Sequence, residues 1–435
     1  MKYDIPTDVA VIGAGLAGCE AAWQVAQRGF KVTLFEMKPE KKSPAHKSSA
    51  FCELVCSNSL RAEGSKNAIG LLKEELRYLK SIIMQCADTT RVPAGGALAV
   101  DRDAFSNMVT EKIKSHPNIN VVNREVTDLD FDCNTIVATG PLTSDALSDS
   151  IRDFFGLDYL YFFDAAAPVV TAESIDMSKA YFASRYDKGT PDYINCPMDE
   201  ADYDLFYNSL ISAETAKLKD FENDRVFEGC MPVEVMAKRG YETLLFGPLK
   251  PVGLRNPYNG NIPKAVVQLR KDNAISSLYN IVGFQTHLTF GEQKRVFSLI
   301  PGLQNSEFVR YGVMHRNTYI NSPKALTCTY ETRKRKGLFF AGQMTGVEGY
   351  IESVSSGFVA ALNALPNRQK PLIFDRKTAI GALSHYISND NIENFQPMNV
   401  NFGLFPPLDE KTKKKDKKEA VSERALKIIT DMNLE

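Results

Sequence analysis

The chain has 435 residues, 44% hydrophobic and 24% charged, with 52 Lys and Arg against 53 Asp and Glu for a formal net charge of -1. Such a length predicts two or three domains with a substantial core, and the charge balance excludes a uniformly basic nucleic-acid binder. No apolar run reaches the ~18 residues of a membrane span. The first predicted strand leaves no room for a cleavable signal, and the 8 cysteines do not form a secreted disulfide scaffold. A reduced, cytoplasmic setting is therefore expected.

Residues 9–18 read V-A-V-I-G-A-G-L-A-G, an apolar strand running into a glycine turn. Gly13 supplies the tight turn, Gly15 the close approach to a pyrophosphate, and Gly18 the packing of helix on strand. Ala14, Leu16 and Ala17 complete the turn. A helix over 16–28 follows, with Gly29 fitting its C-cap, and then a strand over 31–35. Glu36 stands about 20 residues past the turn, where an acidic side chain accepts ribose hydroxyls. The order strand, turn, helix, strand, acid reads as a dinucleotide site.

Further along, I-V-A-T-G at 136–140 is a strand ending in a turn, and 161–301 has a different character. That stretch mixes strand-like runs at 265–269 and 279–284 with a polar helical stretch around 202–219, and reads as an inserted substrate domain. G-L-F-F-A-G-Q-M-T-G at 337–346 is a buried strand over 338–341 entering a second glycine loop, with a helix over 349–361 behind it. An early glycine turn and a late apolar strand of this type hold the two ends of one FAD in two-dinucleotide-binding flavoproteins. Gly342, Gln343 and Gly346 are then cofactor candidates, although Gln343 stands where such proteins usually carry Asp. A single NAD would not need the second loop, so FAD is the expected cofactor. The expected architecture is α/β, a Rossmann-like FAD domain over 1–160 and 302–435, interrupted by an α+β domain over 161–301. An amphipathic helix over 419–433 docks on the body.

Lysines 38, 41, 42 and 47, the run Arg333–Lys336, and the lysines from 411 to 418 form three basic stretches. They permit an RNA partner through phosphate contacts without requiring one. No metal-ligand spacing is present. Among the cysteines, Cys56 in F-C-E-L-V-C-S-N-S-L-R and Cys230 in F-E-G-C-M-P-V-E lie in turn-like contexts that expose a thiol. On context alone either reads as structural, and Cys52 with Cys56 reads as a dithiol only loosely, since the spacing is not C-x-x-C.

Eight segments together carry a resemblance. They are C-S-N-S-L-R from Cys56, R-V-P-A-G-G-A-L-A-V-D-R from Arg91, S-I-D-M-S-K from Ser174 and C-M-P-V-E from Cys230. L-L-F-G-P-L-K-P-V-G-L from Leu244, V-G-F-Q-T from Val282, Y-G-V-M-H-R-N from Tyr311 and M-T-G-V-E-G-Y from Met344 complete the set. The chain closely resembles the folate- and FAD-dependent tRNA (uracil-5-)-methyltransferases of the TrmFO type, over nearly its whole length.

The resemblance implies methylation of a uridine at carbon 5 with methylenetetrahydrofolate as carbon donor, FAD as cofactor and NADH or NADPH as reductant. It implies that Cys230 adds to carbon 6 of uracil and that Cys56 removes the carbon-5 proton. His315 reads equally as a stacking partner for the folate pterin or as a buried structural histidine. The target is a tRNA T-loop uridine, or a uridine of large-subunit ribosomal RNA as in paralogues. A plain flavin oxidoreductase using Cys52 and Cys56 leaves C-M-P-V-E and the substrate domain unexplained, and the presence of both Cys56 and Cys230 argues against a non-catalytic RNA-binding flavoprotein.

Overall fold

A computed structural model describes residues 6–43, 45–156, 160–165, 167–216, 231–273, 275–312, 314–393, 395–408, 412–413 and 415–432, with backbone alone for 160–165 and 314–318. The strand Val9–Ile12 is buried at all four positions, as an apolar run without alternation requires when both faces of a sheet are covered. It lies at the centre of five parallel strands in the order Leu338–Phe340, Asn134–Val137, Val9–Ile12, Val32–Glu36, Ile119–Asn123. The early and the late apolar strands thus flank one strand from the middle of the first segment, which brings both glycine loops to the same sheet edge.

The helix Leu16–Gln27 follows the first turn, and Tyr350–Asn363 follows the late one. Small residues let the two pack closely. A Cβ on Gly357 would lie 2.2 Å from the Ala17 carbonyl oxygen, so only glycine permits this approach. The C-terminal helix Lys417–Asp431 buries Val421, Ala425 and Ile429, and the Ser422 hydroxyl donates to the Ser65 carbonyl at 2.6 Å. It docks on the body as expected.

A second unit has its own core around Val170, Ile194, Phe206, Val267, Phe284 and Phe297. Its six-stranded antiparallel sheet runs Tyr181–Ala183, Tyr193–Met198, Ala265–Lys271, Leu278–Ile281, Val169–Thr171, Phe308–Arg310. The last of these strands extends the unit past residue 301, where the sequence placed its end. Phe308 pairs with Val170, and a single-sequence reading has no signal for such a distant partner. The polar helix is Glu200–Ile211, started by a capping box between Asp199 and Asp202. It ends earlier than expected, because Thr215 already bridges Leu288 in extended form; residues 217–219 lie outside the described residues. Both crossings between the units, Leu160–Ala165 and Met314–Tyr319, pair with each other as an antiparallel ribbon. Among the described residues no helix is long and apolar enough to cross a membrane.

Candidate active site

The three glycines of the first turn do three different things. Gly13 has φ +99, and a Cβ there would sit 2.7 Å from the Ala138 carbonyl oxygen. At Gly18 a Cβ would fall 1.8 Å from the Gly13 carbonyl oxygen, so that glycine lets the helix press on the turn. A Cβ at Gly15 would meet nothing within 4 Å. Gly15 therefore serves no packing need, and the space above it opens into a cleft of about 1290 Å³, mouth included. It is the N-cap of Leu16–Gln27, whose first turn carries no acidic residue, so N–H groups and the positive helix end face that space.

Glu36 ends its strand buried at the same cleft. Its carboxylate accepts the N–H of Ala14 at 2.8 Å and of Lys38 at 2.9 Å, which fixes the turn, and a carboxylate has lone pairs left for a ribose. From the late loop, Gly342 and Gln343 also line the cleft. The Gly342 N–H donates to the Ser356 hydroxyl at 2.7 Å, and the Gln343 amide nitrogen donates to both Glu348 oxygens at 2.9 and 2.7 Å. Gly346 serves the fold of that loop instead. With φ +82 it makes room for the Phe395 ring, which a Cβ would approach to 2.4 Å. Open space over Gly15, a helix N-terminus and an oriented acid fit the pyrophosphate and ribose of a dinucleotide, and the late loop on the same cleft suits one with a second end to hold.

Cys56 lines this cleft half-buried, beside Val55 and Tyr350. Its N–H donates to the Tyr350 hydroxyl at 2.9 Å. Burial pushes the Tyr350 phenol well above its usual range, and the nearby Cys56 adds to the effect. Cys52 is different: it is buried, has φ +52, and donates its N–H to the Ala14 carbonyl at 3.0 Å. Burial, with Cys19 beside it, pushes its thiol well above the ordinary value, which ill suits an exchanging dithiol.

Cys230 lies outside the described residues, and so does the side chain of His315, whose backbone pairs with Asp164 in the ribbon. The residues after Cys230 are described. The Glu234 carboxylate accepts the Thr286 hydroxyl at 2.8 Å and the His287 N–H at 2.9 Å, and the Val233 N–H donates to the Gln285 carbonyl at 2.8 Å. Gly283, with φ +78, stacks on Pro248 where a Cβ would be 2.5 Å away. The C-M-P-V-E, V-G-F-Q-T and L-F-G-P-L-K segments therefore converge at one place in the second unit. Likewise C-S-N-S-L-R meets the Arg91–Arg102 segment, since Asn58 exchanges bonds with the Val100 carbonyl and N–H, each at 3.0 Å.

Residues 8–370 match the family model described as Glucose inhibited division protein A. A protein of Acetivibrio thermocellus named methylenetetrahydrofolate–tRNA-(uracil-5-)-methyltransferase TrmFO is 62% identical over 427 residues, 97% of this chain and 98% of the relative. One of the same name from Bacillus licheniformis is 59% identical over 428 residues, 98% of both chains. The chain belongs to the TrmFO family. Its fold is that of Aquifex aeolicus GidA in the form I crystal, at TM-score 0.72 and 17% identity, covering 99% of this chain and 76% of that one.

In this TrmFO-family chain several members of the first two basic runs are bonded back to the protein. Lys334 donates to the carbonyls of Phe154 and Phe155 at 3.0 and 2.6 Å, capping the helix Asp145–Phe155. Arg335 donates to the Leu129 carbonyl at 2.7 Å and Arg333 to the Ser388 carbonyl at 3.2 Å. Lys41 pairs with Glu125 at 2.7 Å, and Lys42 donates to the Lys47 carbonyl at 2.7 Å. Lys411 and Lys414 lie outside the described residues. His46, Arg124 and Tyr350, which no motif singled out as site residues, also line the cleft. Of these, only Tyr350 had a signal, its place at the end of M-T-G-V-E-G-Y.

Proposed function

We propose that the protein methylates carbon 5 of a uridine in tRNA, drawing the carbon from methylenetetrahydrofolate, with FAD in the cleft and NADH or NADPH as reductant. The observation that carries this reading is the placement of Cys56 on the same cleft as Gly15 and Glu36, in a chain 62% identical to a protein named for that reaction. FAD bound there supplies two-electron chemistry between the nicotinamide and the transferred carbon.

The protein's own residues do the rest. Carbon 5 of uracil is a poor nucleophile until a thiolate adds to carbon 6, and we assign that addition to Cys230. Removal of the carbon-5 proton then needs a base at hydrogen-bond reach, which we assign to Cys56. Gly13 to Gly18, Glu36, Gly342 and Gln343 hold the cofactor in this scheme, with Gly346 shaping the loop, and His315 is the candidate surface for the pterin. The unit between the two ribbon strands is the substrate domain, and a cytoplasmic location accompanies a tRNA substrate and reduced thiols.

The test is a reaction with methylenetetrahydrofolate, reduced nicotinamide and separate tRNA and large-subunit ribosomal RNA transcripts, followed by mapping of 5-methyluridine. Product in the tRNA T-loop is the expected outcome. Product in the ribosomal transcript alone would move the target, and flavin turnover without any methylated base would leave a plain oxidoreductase.

A further inference from the structure

The short loop that carries Cys56 is gripped by arginines on both sides. Arg102 donates through Nη1 to the Leu54 carbonyl and, at 3.5 Å, to that of Val55. Arg310 reaches the same Val55 carbonyl at 3.1 Å. Beyond Cys56, Arg270 donates to the Ser57 hydroxyl at 2.7 Å and to the Asn58 amide oxygen at 3.1 Å. These guanidiniums come from three distant parts of the chain, the start of helix Arg102–Ser115 and the strands Ala265–Lys271 and Phe308–Arg310.

The charge around them is unbalanced. Asp272 pairs with Arg102 through both oxygens, at 3.0 and 2.9 Å. Glu53 also lies near, its carboxylate accepting the N–H groups of Lys47 and Ser48, so two carboxylates face three guanidiniums. Tyr350 contributes a neutral phenol from the other side, with Glu352 two residues on paired to Arg61 at 2.9 Å. Arg102 and Arg270 are each more than nine-tenths buried, and Arg102 Nη2 is a buried donor with no hydrogen-bond partner. Burial pushes the Arg270 and Arg310 guanidiniums below their usual value and Arg102 adds repulsion to both, while Tyr193 and Asp272 pull Arg270 back up and Asp272 and Glu53 do the same for Arg310. Guanidiniums nevertheless stay protonated in proteins. Concentrating three such cations at one loop is unfavourable unless something anionic belongs there.

We propose that Arg102, Arg270 and Arg310 are a positioning cluster that holds Cys56 at the cleft and favours its thiolate. The thiol loses its proton to solvent, and the cations on the Val55 carbonyl before it and on the Ser57 hydroxyl after it stabilise the charge left on sulfur. A thiolate is the form in which Cys56 acts as a base, so the use of this device rests on the role assigned above, whereas the device itself does not.

Iodoacetamide alkylation of the FAD-loaded full chain tests it, followed by mass spectrometry across pH with fragment ions separating Cys56 from Cys52. Arg310→Gln should raise the pH midpoint of Cys56 alkylation by about one unit, the lower end of the effect of a nearby opposite charge. Arg310→Lys should restore it, and Asp272→Asn should lower it. In turnover Arg310→Gln should reduce kcat while KM for tRNA stays put. Midpoints that do not move, or that move the same way in Arg310→Gln and Asp272→Asn, would overturn the proposal and leave the cluster a mechanical latch. If Asp272→Asn fails to fold, the Gln and Lys variants at 310 decide alone. Normal methylation by Cys56→Ala would instead remove the base role, with the alkylation result standing.

Discussion

The hydroxyl of Tyr350 accepts the backbone N–H of Cys56 at 2.9 Å and, more weakly, that of Ser57 at 3.4 Å. A side chain at the start of the late helix therefore fixes the backbone of a loop almost three hundred residues earlier. Tyr350→Phe deletes the acceptor and keeps the ring. It should cost about 1 kcal/mol in urea unfolding, the net worth of one hydrogen bond. FAD should remain bound, and kcat should fall as the loop loses its anchor. Unchanged kcat with full flavin content would show that the arginines alone hold the loop.

The turn glycines give a contrast between binding and folding. Gly15→Val places its side chain in the open cleft, so the protein should fold, purify colourless and keep the thermal midpoint of the unaltered protein stripped of FAD. Gly18→Ala drives a methyl into the Gly13 carbonyl and should unfold or destabilise the protein by several kcal/mol, as a buried clash does. Flavin absorbance and thermal denaturation read the two separately. A yellow Gly15→Val protein would remove that glycine from the cofactor site.

With 5-fluorouridine tRNA, whose carbon-5 fluorine cannot leave as a proton, the unaltered protein should form a slower-migrating protein–RNA band. Cys230→Ala should abolish both the band and methylation. Cys56→Ala should lose turnover but retain the band, because it acts after addition. The reverse pattern would exchange the two roles.

Two buried carboxylates predict how stability depends on pH. Burial raises Glu75 to about 8 and Glu20 to about 7, against backbone and side-chain hydrogen bonds that pull each down. Both bind protons more tightly folded than unfolded. Their contribution is therefore full below the ordinary carboxylate range of about 4 and is lost as pH rises towards about 7 or 8. Urea unfolding at pH 5, 6.5 and 8 should show falling stability, and Glu75→Gln should flatten the slope. A slope unchanged by that substitution would place the dependence elsewhere.

Legibility in the sequence followed the range over which each interaction acts. The strand, turn and helix from Val9 to Gln27 are encoded by neighbours, and they appeared within a residue of where spacing put them. The turn at Gly13 and the close packing at Gly18 were readable for the same reason. For Lys334 and Arg335, adjacency in sequence shows charge but not the carbonyls of Phe154 and Leu129 that fold beside them. The grip on Cys56 was invisible, since Arg102, Arg270 and Arg310 share no spacing and meet only in three dimensions.

The ribbon of Leu160–Ala165 and Met314–Tyr319 ties the entry to the second unit to its exit through six residue pairs. The two crossings can only turn together. Arg270, Asp272 and Arg310 would travel with that unit in any such turn, whereas Tyr350 and Arg102 belong to the first. Cys56 is thus held by both bodies at once, and any turn of one against the other would pull on the loop that carries its thiol.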